Sequence, residues 1–158
     1  MTGADASLRA LMGYCLRRAS VAAMADFARV FARHGLRRTT FSVLALVVER
    51  PGLRQAQVAA ALAIERPNLV QIVGELEGLG LLRRETDAED RRAQALHPTL
   101  EGRRLFTQAM ADVAEQEEGL LDGLTPAQID ALRAALTIIE RNAGMQREAA
   151  HDQQVSRA

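Results

Sequence analysis

"GLGLLRRETDAEDRRAQALHPTLEG", residues 78–102, decides the fold. After two glycines, "LLRRET" and "RAQALH" read as short strands. Between them the chain crowds Glu85, Asp87, Glu89 and Asp90 against Arg91 and Arg92. Charge count alone makes this a solvated loop. Its place between two strands makes it the tip of a hairpin.

Immediately upstream, residues 53–82 read "LRQAQVAAALAIERPNLVQIVGELEGLGLL". A short helix over Gln55–Ala61 is followed by a tight turn at Leu62–Ile64. A second helix starts near Glu65, where Pro67 is tolerated because the first turn needs no N–H donor. It carries Leu69, Ile72, Val73, Leu76 and Leu79 on one face and stops at Gly80. Two short helices joined in this way form a helix-turn-helix. Further upstream, apolar residues recur every three or four positions from Leu8 to Phe31, which predicts one long amphipathic helix ending at Gly35. Thr39 or Thr40 is then placed to cap a helix that stops before Pro51.

Downstream, Thr99 caps a long helix running to about Leu121. "TPAQ" at 125–128 is a capping box with proline in the first turn of a last helix. Its apolar positions Ile129, Leu132, Leu136 and Ile139 make a narrow seam of coiled-coil type, which calls for a helical partner. The predicted class is mainly α: a winged helix-turn-helix with a two-stranded wing, flanked by N- and C-terminal helices. The expected divisions are an N-terminal helix over 1–34, the winged helix-turn-helix lobe over 35–99, C-terminal helices over 100–150 and a frayed tail over 151–158.

Composition bounds the function. The chain has 158 residues, 48% hydrophobic and 3% aromatic, so one core of Ala, Leu and Val is expected. No apolar run reaches the roughly 20 residues that span a bilayer. Neither a signal peptide nor a disulfide framework is visible, and a cytoplasmic protein is expected. All 20 basic residues are arginine, and the net charge is zero. They are unevenly spread: residues 29–104 carry 13 Arg against nine acids, whereas residues 105–158 carry four against nine. A basic middle suits contact with phosphate. His34, His97 and His151 have no ligand-like spacing, and no nucleophile–base motif or phosphate-cradling glycine loop appears. No enzyme, metal or cofactor is expected.

The sequence resembles the MarR family of winged helix-turn-helix regulators over roughly residues 8–147. The resemblance rests on residues 78–102 and on "IERPNLVQIVGELEGLGLL" before them. Asp87, Asp90, Arg91 and Arg92 fill a D-x-x-D-R-R pattern, and Thr99 and Gly102 a T-x-x-G pattern. Pro98 departs from it, standing where an apolar strand residue is usual. The resemblance implies a homodimer whose N-terminal helix (1–34) and C-terminal helices (100–150) are dimerisation helices and whose DNA-binding lobe is residues 35–99. It binds a pseudo-palindromic double-stranded DNA operator and releases it when a small effector or an oxidant is sensed.

On that footing, Arg66, Pro67, Asn68 and Gln71 are the candidate base-reading residues of the recognition helix. Asn and Gln suit adenine edges, Arg a guanine edge or a phosphate, and proline a thymine methyl. A solvated helix face is the plain alternative for Gln71. In the wing, Arg84, Asp87, Asp90, Arg91 and Arg92 are candidates: the acids shape the turn, and Arg92 suits the negative minor groove. Arg37, Arg38, Thr40, Arg54 and Gln55 are candidates for phosphates. A ligand pocket is expected from Tyr14, Arg17, Arg18, Phe27, Phe31, His34 and Phe41, with ordinary packing the alternative for the phenylalanines. "GYCLRRAS" is similar to members controlling hydroxycinnamate degradation, so an aromatic acid or its CoA thioester is the expected effector. The other readings are an oxidant sensor acting through Cys15, which otherwise is a small core hydrophobe, and a winged helix that binds only protein.

Overall fold

The computed structural model describes residues 5–86 and 94–155, with side chains as far as residue 144. In chain order the elements are α1 (Ala6–Arg9), α2 (Met12–Arg33), α3 (Arg38–Glu49), β1 (Leu53–Arg54), α4 (Gln55–Ala61), α5 (Arg66–Gly78), β2 (Leu82–Thr86), β3 (Gln94–Pro98), α6 (Leu100–Leu120) and α7 (Pro126–Val155). The mainly α winged helix-turn-helix expected from the sequence is present. One compact unit ends at Glu117, and a second begins at Glu118. No described helix is long and apolar enough to cross a membrane.

The core of the first unit forms where α3, α4 and α5 turn their apolar faces together. Val43, Leu44, Val47, Val58, Val73 and Leu76 lose all contact with water. Phe31 and Leu36 close the same cluster from the end of α2. The wing attaches through Leu82 and Leu96, which also lie in it. At roughly 1.5–3 kcal/mol per fully buried aliphatic side chain, this cluster is the main source of stability. Gly80 makes the turn from α5 into β2: its φ of +70° suits glycine, and the Leu81 N–H then reaches back to the Leu76 carbonyl at 2.9 Å.

Three details differ from expectation. The two-stranded wing β2–β3 is present as expected, but its sheet has a third strand, because β1 joins it in the antiparallel order β1-β3-β2, with Leu53 opposite Leu96 and Leu82 opposite Pro98. The first helix is not continuous: Leu11 is extended (φ −91°, ψ 118°) between α1 and α2. The Arg9 carbonyl so released accepts the Cys15 thiol at 3.2 Å. The Asp5 carboxylate brackets the break, meeting Arg9 at 3.0 Å, the Tyr14 hydroxyl at 3.1 Å and Arg18 at 3.7 Å. Arg9, as the main cause, with Tyr14 in support, holds the Asp5 carboxyl below its ordinary value despite some desolvation. Thirdly, the residue capping α3 is Arg37 rather than Thr39 or Thr40.

In the second unit, the Thr125 N–H donates to Gln128 Oε1 at 2.8 Å and the Gln128 N–H to Thr125 Oγ1 at 3.3 Å, the reciprocal box expected there. The backbone of α7 stays helical to Val155, into the stretch expected to be a frayed tail.

Candidate nucleic-acid interface

Helix α5 divides along its length. Leu69, Ile72, Val73 and Leu76 are buried, while Arg66, Pro67, Asn68, Val70 and Gln71 are exposed. The helix starts freely because Pro67 stands in its first turn. Its second half is held from two sides. Glu75 takes the Arg37 guanidinium from the start of α3, and Glu77 takes Arg84 from β2 at 3.0 Å. The base-reading candidates therefore sit on an outward-facing first half, and the second half is tied to the lobe.

A cleft of about 500 Å³ runs along this face, lined by Arg37 at the cap of α3, Thr39 from α3, Ile64 and Glu65 from the turn, and Asn68 and Gln71 from α5. It brings a cation expected at phosphate next to two side chains able to read base edges. The turn itself is tight. Ala63 adopts φ +51°, and the Ile64 N–H donates to the Ala59 carbonyl at 2.9 Å.

The other phosphate candidates differ in access. Arg38, the first residue of α3, is exposed. Arg54 and Gln55 are half-buried at the start of α4, where the Arg54 N–H donates to Gln57 Oε1 at 2.8 Å. Thr40 is a correction. It is buried, its hydroxyl accepts the Arg37 N–H at 2.8 Å, and it has no surface to offer a phosphate. A hydroxyl that completes a helix cap serves the fold.

In the wing, Arg84 turns inward to Glu77, and its Nε is buried without a hydrogen-bond partner among the described residues. A side chain so placed sets the wing against α5 rather than reaching outward. Arg83 is the exposed arginine of β2 and pairs with Glu85 at 2.8 Å, which also meets His97 at 3.4 Å. Asp87, Asp90, Arg91 and Arg92 lie outside the described residues.

At the base of the wing, Thr99 and Gly102 join α6 to β2. The Thr99 hydroxyl donates to the Gly80 carbonyl at 2.6 Å and accepts the Gly102 N–H at 3.0 Å. The T-x-x-G spacing is thus a helix cap that also grips the preceding turn.

The seven pocket candidates separate into three places. Tyr14, Arg17 and Arg18, with Val21 and Ala22, line an open cavity of about 330 Å³ along α2. The Arg18 guanidinium lies 5.8 Å from the Tyr14 ring centre. Tyr14 and Asp5 raise its already high pKa further. Phe27, Phe31 and Phe41 instead form a stacked row with Phe106, at centroid separations of 6.4, 4.6 and 6.1 Å. His34 meets Asp112 of α6 at 3.0 Å, with Arg33 beside it at 3.7 Å. Among the described residues no group of His, Cys, Asp and Glu is placed to hold a metal ion.

On α7, Leu132, Leu136 and Ile139 are each about 40% exposed and Ile129 is half-buried. Ile138, which the seam did not include, is exposed as well. Two other features escaped the sequence reading: the Glu77 partner of Arg84, and the exposed Val70 among the base-reading candidates.

Comparison with known proteins agrees with this geometry. The model of the MarR family matches residues 34–93, which include the helix-turn-helix and the first strand of the wing. A protein described as regulating transcription of the hcr operon in Thauera aromatica is 31% identical over 123 residues, covering 77% of this chain and 74% of that protein. The repressor CouR bound to a 23-mer DNA duplex superposes with a TM-score of 0.82 at 35% identity, over 89% of this chain and 99% of that one. CouR of Rhodococcus jostii RHA1 bound to p-coumaroyl-CoA superposes with a TM-score of 0.74 at 32% identity, over 81% and 90%. These relatives are regulators of transcription, not enzymes, and this chain belongs to the MarR family of DNA-binding winged-helix transcriptional regulators.

Proposed function

We propose that the chain is a ligand-responsive repressor that binds a pseudo-palindromic operator as a homodimer and releases it on meeting an aromatic carboxylate or its CoA thioester. The observation that carries the DNA half is the exposed first half of α5, where Asn68 and Gln71 share a cleft with Arg37. The likeness to DNA-bound CouR supports it. The exposed Leu132, Leu136 and Ile139 support the homodimer, since a seam of this kind is stable in water only when covered.

For the effector half, Arg17 and Arg18 beside Tyr14 offer guanidinium groups for a carboxylate or phosphate and a ring for an aromatic group. CouR bound to p-coumaroyl-CoA supports that class. Release then follows from population shift, an effector favouring dimers whose recognition helices no longer match the half-site spacing. The test is operator binding by fluorescence anisotropy, with and without hydroxycinnamoyl-CoA thioesters and the free acids. Steep weakening with salt is expected for a phosphate-dominated contact. Operator affinity unmoved by every thioester and acid would remove the effector half and leave the DNA half standing.

A further inference from the structure

Most of the outward face of α5 is polar, but Val70 is not. The residue is 51% exposed, although its neighbours Leu69, Ile72 and Val73 are buried. A single exposed valine elsewhere would carry no meaning. This one stands beside Gln71 and one turn from Pro67, since residues three and four apart share a helical face. The same face continues to Gly74, where an added Cβ would meet nothing within 4 Å among the described residues. Internal packing therefore does not require that glycine, and glycine weakens a helix interior relative to alanine. Pro67, Val70 and Gly74 together make an apolar, low stripe through the polar face. An outside partner that approaches this face meets the exposed valine and, at Gly74, no side chain in the way.

The partner that meets this face is DNA, because the stripe is continuous with the recognition face of α5. On base edges in the major groove, the prominent apolar group is the 5-methyl of thymine. Here, resting on the DNA-binding function above, we infer that Val70 is a specificity-determining residue that packs on a thymine 5-methyl, while Gly74 lets the helix lie deep in the groove. Asn68 and Gln71 read hydrogen-bonding edges; Val70 reads a methyl.

The test begins by selecting duplexes from a random pool with the full chain. Each thymine of the selected site is then replaced singly by deoxyuridine, which keeps the hydrogen-bonding edge and removes the methyl. Replacing the contacted thymine weakens wild-type binding about fourfold, the factor for one buried methyl. Val70→Ala binds the parent site more weakly by a similar factor and is indifferent to that replacement. Gly74→Val binds every duplex more weakly while its thermal unfolding stays near wild type. If wild type and Val70→Ala respond alike to every deoxyuridine, or neither responds to any, the inference is overturned. Full binding by Gly74→Val overturns the close approach. Selection of no duplex at all would instead sink DNA binding, and this contact with it.

Discussion

A Cβ on Gly102 would stand 2.1 Å from the carbonyl oxygen of Leu81. The first turn of α6 therefore rests on the backbone that leads into the wing, and only glycine permits it. The obstacle is backbone, so it does not swing aside as a flexible side chain would. Gly102→Ala is expected to lower unfolding stability by about 1–3 kcal/mol through overpacking. Urea denaturation reads this directly, and an unchanged midpoint would show that α6 shifts at no cost.

Ala63 gives the opposite case. Its φ of +51° lies in the left-handed region, which penalises a residue with a Cβ. Ala63→Gly relieves that penalty and should stabilise the chain by about 0.5–1 kcal/mol, after allowing for the greater freedom of glycine in the unfolded state. A fall in melting temperature would mean that the Cβ contributes more by packing than the dihedral costs.

The Arg84–Glu77 pair ties the wing to α5 with both side chains about 30% exposed. Partial exposure keeps its worth near that of a surface pair, at most about 1 kcal/mol. A double-mutant cycle with Arg84→Met and Glu77→Gln should show coupling of that size in chemical denaturation. Additive single effects would mean that the contact contributes nothing.

Arg37 and Asn68 share a cleft but should fail differently. Arg37→Ala is expected to weaken binding to all duplexes alike and reduce the salt slope by about 1. Asn68→Ala should cost about 1–3 kcal/mol and relax preference at one base pair. Titrations at several salt concentrations on matched and mismatched duplexes distinguish them. A base-specific loss from Arg37→Ala would reverse the assignments.

Leu136→Glu places a charge on the exposed seam of α7. Sedimentation of the wild type should give about twice the 17.2 kDa of one chain, and the variant should move toward one chain mass. A variant that still sediments as a dimer would locate the interface elsewhere.

Much of this was legible in the sequence because the signals were local. The apolar spacing Leu69–Ile72–Val73–Leu76, the stops at Gly35 and Gly80, and the box at Thr125–Gln128 each lie within a few turns of chain. What was missed depends on neighbours distant in sequence or on very short elements. β1 has two residues, too few for any alternation to show. The break at Leu11 falls inside an unbroken apolar rhythm and is marked only by side chains converging on Asp5. Thr40 looks like any exposed hydroxyl until the fold buries it against Arg37. Arg37 and Glu75 are 38 positions apart, so no charge count pairs them. Val70 falls outside the apolar face of α5, and only the folded helix shows that it stands exposed among the base-reading candidates.

The unequal halves of α5 also bear on how such regulators diverge and can be re-engineered. Apart from Leu69, which is buried in the core, residues 66–71 are exposed, whereas Glu75 and Glu77 fasten the helix to α3 and the wing. The outer half is a replaceable cartridge in a fixed holder. Exchanging its exposed side chains for those of a relative should transplant the choice of DNA sequence while the fold of the lobe stays as it was.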